Sequence, residues 1–293
     1  MAITASSHIL LNGNFHTQTS TICNIYNRAL TLGDCISERI HTCADRLCFI
    51  DEHLEHLREG MKMAMMKIPE KFFNANRVFS TEISKLITKN RIFHGSLTTI
   101  LVFRSSFNPE SSAPDNIEYI VFCKPSDTLG YKLNYTGLKL AIYEDFPFGL
   151  SPMSSYTTHD NALLKVTLHK RCFHDHVDDA IITNSKGYIV ETANNGNIFF
   201  LKENTLYTPP LADGCSNDIM RRKILEVIAP KMGLRTVSDR PLSEKDFQKS
   251  QEMFVADTEH GIQWVAAYKS MRFLRATTTH ILDELNNLYQ SQQ

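Results

Sequence analysis

The sequence predicts an α+β fold in two domains, and three observations carry the prediction. The chain has 293 residues, more than one core of ordinary size organises. Runs with strand-like alternation are mixed irregularly with longer runs of helical spacing. A proline- and glycine-bearing segment from Asp145 to Ser155 separates two halves, which places the domains at 1–148 and 149–293. With 42% hydrophobic and 22% charged residues, the chain has enough apolar material to bury a full core.

The elements follow in order. Residues 8–16, HILLNGNFH, read as two short strands around Asn12-Gly13, the dipeptide that best suits a tight hairpin turn. A second hairpin turns at Ala44-Asp45-Arg46 and leads into a helix over roughly 51–66, with Leu54, Leu57, Met61 and Met65 on its apolar face. Pro69 suits the first turn of another helix, which runs to Lys89-Asn90 with Phe72, Phe73, Val78, Phe79, Ile83 and Leu86 as its apolar face. Runs at 97–103, 118–123 and 138–143 read as neighbours in one antiparallel sheet. Beyond the linker come a helix at 161–172 and strands at 180–183, 188–191, 197–201 and 205–208. A helix at 217–232 stops at Gly233. Strands near 234–237, 253–256 and 262–268 and a helix at 280–290 complete the chain.

Charge balance narrows the function classes. Lys and Arg number 31 against 32 Asp and Glu, with no block of like charge to attract a polyanion or an anionic membrane. No apolar run approaches the ~18 residues that cross a bilayer, and the first residues lack a basic-then-apolar leader pattern. A soluble cytoplasmic protein is expected, without nucleic acid or membrane as partner. Seven cysteines at irregular spacing, with no CxxC pair, read as reduced and mostly buried thiols. His169, Cys172, His174 and His176 crowd one segment, but their spacing fits no fixed zinc pattern, and no metal site is expected there.

Several segments carry a resemblance. NRALTLGDCISERIHT at 27–42, IDEHLEHL at 50–57, DDAIITNSKGYIVETANNGNIFFLKENTLYTPPLADG at 178–214, SNDIMRRKILEVI at 216–228, MFVADT at 253–258 and the GIQWV that follows keep their order along the chain. Together they resemble the class IV aminotransferase group of pyridoxal-phosphate proteins, which includes branched-chain and D-amino-acid aminotransferases and aminodeoxychorismate lyase. The resemblance implies a smaller N-terminal α/β domain, a larger C-terminal domain, a cofactor cleft between them and a homodimer.

Pyridoxal chemistry needs a lysine amine for the Schiff base, a carboxylate facing the pyridine nitrogen and a cationic, amide-lined cup for the phosphate. Counted back from Asp178, the family's lysine position falls on Thr158, whose hydroxyl cannot form an imine. Lys165 lies seven residues downstream and is expected to be an exposed helix residue. Where the family has an arginine in its histidine-x-x-arginine helix this chain has His56, and Arg58 should point away from that face. Asp218 precedes Ile219 and Met220 where the family presents glycine and open amides to phosphate, so a bound dianion would meet repulsion. Thr258 matches a further phosphate contact, Glu191 the pyridine-facing glutamate, and Glu38 a retained catalytic-side glutamate. Ser37 stands where an aromatic residue is expected, and Trp264, at a position where proline is common, is read as filling core or cleft.

The expectation is a diverged member without lysine-dependent catalysis and without bound pyridoxal phosphate, keeping the cleft for a small molecule or the dimer for a partner. An active aminotransferase or aminodeoxychorismate lyase with a rearranged lysine is the alternative. A grouping of Tyr156, Thr158, His159 and Asp160 offers acid-base groups, of which at most two can share a face of an extended strand.

Overall fold

A computed structural model describes residues 7–20, 25–43, 46–73, 78–104, 116–126, 130–151, 153–156 and 162–291. It is an α+β structure of two compact units, one built from Met1–Gly130 with Tyr156–His159 and the other from Tyr131–Ser155 with Asp160–Ser291.

The first unit is a six-stranded antiparallel sheet with its two long helices on one face. Strands β1 (His8–Leu11) and β2 (Asn14–Thr17) form the first hairpin. Asn12 and Gly13 both adopt positive φ, which is why that dipeptide was the clearest local signal. Short α1 (Arg28–Leu32) is capped by the Asn27 side chain. Then come β3 (Cys35–Cys43), β4 (Arg46–Leu47), α2 (Ile50–Met63), α3 (Val78–Lys89), β5 (Gly95–Arg104) and β6 (Ile117–Ser126). The sheet order is β2-β1-β6-β5-β3-β4. Ile36 and Ile40 of β3, Ile100 and Val102 of β5 and Val121 of β6 meet Leu54, Leu57 and Met61 of α2 and Phe79, Ile83 and Leu86 of α3 in one core.

Two helical expectations shift. The run expected to reach residue 66 ends at Met63: the amides of Met65 and Met66 turn back onto Lys62 and Met61, and Met65 sits at φ 53 and 85% exposed instead of on the apolar face. Pro69 opens only a single 3₁₀ turn, Glu70–Phe72, and Phe73 and Val78 are exposed.

The second unit holds a nine-stranded mixed sheet. Its strands are β7 (Leu138–Ile142), β8 (Asp179–Thr183), β9 (Ile189–Thr192), β10 (Asn197–Lys202), β11 (Thr205–Tyr207), β12 (Arg235–Val237), β13 (Glu252–Asp257), β14 (Gly261–Tyr268) and β15 (Met271–Arg272). The order is β12-β11-β10-β13-β14-β7-β8-β9, with β15 paired to β14. Strand β7 was expected beside 97–103 and 118–123. Instead it lies parallel between β14 and β8, so residues 131–148 pack with the second unit. Parallel pairing joins segments far apart in sequence and leaves no local turn signal to read.

Helix α4 (Ala162–His174) packs on β8. Helix α5 (Ile219–Lys223) continues through a wider π turn, Ile224–Ile228, into α6 (Ala229–Lys231) and stops at Gly233, φ 69. Pro230, which has no N–H to donate one turn back, sits just beyond the π turn. The last helix, α7 (Ala276–Ser291), begins on the Glu252 carboxylate, which accepts from the amides of Thr277 and Thr278 at 2.8 and 2.7 Å. Further along, the Asn286 side chain pairs with both backbone groups of Tyr131. Among the described residues no helix is long and apolar enough to cross a membrane.

Candidate active site

In the first unit the chemistry gathers on Glu38. Alternation along β3 puts Ile36, Glu38 and Ile40 on the face that α2 covers. Helical spacing puts His53 and His56 of α2 on the side facing the sheet. The Glu38 carboxylate lies between the two rings, 2.6 Å from His53 Nδ1 and 2.8 Å from His56 Nδ1. Burial alone would push this carboxyl up. The positive field of His56, the hydrogen bonds from both imidazoles and the field of His53 outweigh it and hold the group near 2. Tyr156 lies beside the outer ring, its centroid 5.3 Å from that of His56, and Gly60 one turn on leaves room for the Tyr156 backbone. His56 is thus committed to Glu38, while Arg58, as expected, turns away to the carbonyl of Phe72 and the ring of Phe73.

In the second unit the centre is Glu191 of β9, 2% exposed. Lys165, expected to be exposed, is buried. Its ammonium donates to Glu191 Oε1 at 2.7 Å and to Asn195 Oδ1, and it lies 5.6 Å from the centre of the Phe148 ring. The other Glu191 oxygen accepts from the backbone N–H of Ser216. Glu191 thus points into the unit and not to solvent. Lys165 shares a face of α4 with Leu168 and Cys172, the other buried residues of that helix, at helical spacing. That spacing was the available signal. It was masked by Leu163, Val166 and Phe173, which are apolar but exposed.

Two residues beyond Ser216, Asp218 caps α5. Its carboxylate accepts from Met220 N at 2.6 Å and from the Thr258 hydroxyl at 3.0 Å. Thr258 in turn follows β13, and its carbonyl accepts from the Tyr131 hydroxyl, held within the unit against Tyr289. Burial, with the nearby Tyr289 and the charges of Asp257 and Asp218, pushes the Tyr131 phenol well up, so it stays a neutral donor. Ile219 and Met220 are buried. A helix start satisfied by a side-chain carboxylate offers its first amides to that carboxylate before any other anion.

The remaining predicted residues separate into placed and undescribed ones. Thr158, His159 and Asp160 lie outside the described residues, which leaves Tyr156 as the placed member of that grouping. Trp264 is half-buried, its indole N–H donating to the Asn134 carbonyl at 2.8 Å and its ring under the Arg275 guanidinium. His169, His174 and His176 are exposed while Cys172 is buried, so that segment does not converge on one point. Among the described residues a different trio does gather: His41, Cys43 and Cys48.

The amino-transferase class IV family model matches residues 37–268, most of the chain and all of the site residues named above except Ile36, Arg275 and Tyr289. A relative from Rickettsia bellii, named for branched-chain-amino-acid aminotransferase, is 28% identical over 195 residues, 65% of this chain and 63% of that one. Among solved structures, the branched-chain aminotransferase of Thermoproteus uzoniensis superposes with a TM-score of 0.83 at 17% identity, covering 96% of this chain and 93% of its own. A Legionella pneumophila chain named for 4-amino-4-deoxychorismate lyase gives 0.79 at 17% identity, covering 92% and 97%. The shared model, with a fold match across nearly the full length, places this chain in the class IV aminotransferase family of pyridoxal-phosphate proteins.

Proposed function

We propose that this chain is a diverged class IV member whose own side chains take up the charges that pyridoxal phosphate brings to its relatives, so that it runs no lysine-dependent pyridoxal chemistry. The observation that carries the reading is the pairing of Lys165 with Glu191 at 2.7 Å. In the family that glutamate faces a pyridine nitrogen; here an internal ammonium supplies the counter-charge. At α5 the Asp218 carboxylate takes the amide and the Thr258 hydroxyl that would serve a phosphate. Thr158 stands for the family's imine-forming lysine, and His56, bonded to Glu38, for its phosphate-binding arginine. These residues do not fit pyridoxal phosphate. The fold then serves a cytoplasmic homodimer that holds a different small molecule or a protein partner.

One observation favours a second reading. Lys165 is a buried amine in the unit that carries the family's glutamate, and by swinging off Glu191 towards the far side of a bound pyridine ring it would be the imine lysine of a working aminotransferase or lyase. One experiment separates the two. Purified chain is incubated with pyridoxal phosphate, desalted and treated with borohydride. The proposal expects no retained chromophore and no modified peptide. A fixed adduct on the Lys165 peptide, lost in Lys165→Met, overturns it in favour of the second reading.

A further inference from the structure

The second hairpin brings together a set of ligands that the aminotransferase reading leaves without a role. Strand β3 alternates, so His41 and Cys43 point to one face, the one opposite Ile40 and the helix-covered core. In β4 the register pairs Thr42 with Leu47 and Cys43 with Arg46. One step further, the Cys48 amide donates to the His41 carbonyl at 3.1 Å, which extends the ladder and sets Cys48 opposite His41 on that same face. The two sulfurs come to 3.6 Å, and the Cys43 sulfur lies 4.0 Å from His41 Nδ1. One ligand atom from each of the three residues fits within 4.8 Å of the others.

The sulfur–sulfur and sulfur–Nδ1 separations lie within about 0.5 Å of the edges of a coordination polyhedron. Zinc–sulfur bonds of ~2.3 Å and zinc–nitrogen bonds of ~2.0–2.1 Å at tetrahedral angles give edges of ~3.8 Å between sulfurs and ~3.5 Å between sulfur and nitrogen. A disulfide fits less well. Cys43 and Cys48 are a diagonal pair on the ladder extended past Leu47, and a bridge would need their sulfurs to close from 3.6 Å to the ~2.05 Å of a disulfide bond. A metal adds two bond lengths between the sulfurs and spans the same diagonal without that shift. Two soft thiolates and an imidazole exclude magnesium and calcium and select a thiophilic cation. His41 and Cys48 are 4% and 2% exposed, while Cys43 is half-buried and gives an ion its way in.

We infer that His41, Cys43 and Cys48 form a binding site for Zn²⁺, with three protein ligands and a fourth position left to water or an incoming ligand. The site lies within the first unit and does not depend on what the second unit does with Lys165 and Glu191.

The test is Co²⁺ titration of the reduced, chelator-stripped full-length chain, followed by competition with Zn²⁺. The expected result is about one equivalent bound, with a sulfur-to-cobalt charge-transfer band that Zn²⁺ abolishes. Cys43→Ser, half-buried at the hairpin end, should roughly halve the band and weaken binding by more than the ~10-fold that outer-shell changes cost. His41→Gln should keep the band but weaken binding similarly, with an unchanged circular dichroism spectrum confirming the fold of each variant. Absence of the band, or a band unaltered in Cys43→Ser, overturns the site. A wild-type chain that oxidises to the Cys43–Cys48 disulfide in air, and takes up no cobalt after reduction, overturns it as well.

Discussion

In each unit a deeply buried carboxylate stands against cationic partners, Glu38 in one and Glu191 in the other, and the two are built differently. Glu38 lies between two imidazoles carried by a single helix, one turn apart, so its partners are fixed by α2 alone. Glu191 draws on an ammonium from α4, and its second oxygen takes the amide of Ser216 in the segment leading to α5. The first arrangement is local and rigid, and its charge depends on the protonation of rings. The second joins three separate parts of the unit and depends on one lysine side chain. A buried carboxylate therefore says little by itself. What supplies its counter-charge decides how it fails.

The largest break should come at Lys165. Lys165→Met leaves the buried Glu191 carboxyl with one backbone amide as its partner, and loss of one partner of a buried pair costs about 3–5 kcal/mol. Urea denaturation should show that drop, and the double variant Lys165→Met/Glu191→Gln should recover at least half of it. If the double variant is no better than the single one, the pair is not what holds these elements together.

The Glu38 cluster should fail through pH. Its carboxyl is lowered from the ordinary 4.5 to about 2 on folding, with burial opposing and the two histidines favouring the charged form. The stabilisation it gives is therefore complete above about 4.5 and is lost as pH falls towards about 2. Unfolding free energy measured from pH 5 to 2 should fall more steeply in wild type than in Glu38→Gln, whose own cost at neutral pH should be about 1–3 kcal/mol. Parallel curves for the two would remove Glu38 as the source of the slope.

The smallest effect belongs to Asp218. Asp218→Ala removes a helix cap and should cost about 1 kcal/mol in thermal or chemical melts. It also frees the Met220 amide and the Thr258 hydroxyl. If the internal carboxylate is what turns a phosphate away, the variant should bind inorganic phosphate measurably by calorimetry while wild type does not. Equal silence from both would mean that the cap is structural only.

How much of this could be read from the sequence depended on how local the cause was. The Asn12-Gly13 turn and the Gly233 stop follow from backbone preferences of one or two residues, and both were legible. The ordered segments from Asn27 to Val265 carried the family, because short strings at strand and helix ends survive low identity. The place of β7 was not legible, since its neighbours β14 and β8 pair with it across long parallel connections. In the site, Asp218 was legible as a carboxylate at the start of α5, though the expected helix from 217 put it inside the first turn and not at the cap it forms. Lys165 was not legible, because a lysine is ordinarily solvent-facing and its helical spacing with Leu168 and Cys172 is hidden among the apolar but exposed Leu163, Val166 and Phe173. The His41, Cys43 and Cys48 trio was missed for another reason: its spacing is not a CxxC, and only the ladder of β3 and β4 puts the three on one face.

The hold of Glu252 on α7 has a further consequence. Helix ends ordinarily come loose first, because their terminal amides lack partners. Here the amides of Thr277 and Thr278 and the Thr278 hydroxyl all rest on a carboxylate of β13, near the middle of the larger sheet. The start of the last helix is thus its most deeply anchored part, and fraying runs inward from Ser291 towards the clamp at Asn286. To release α7 whole, the chain must disturb the sheet itself. The C-terminal helix therefore opens with the sheet as one cooperative block and cannot peel away from it as a separate flap.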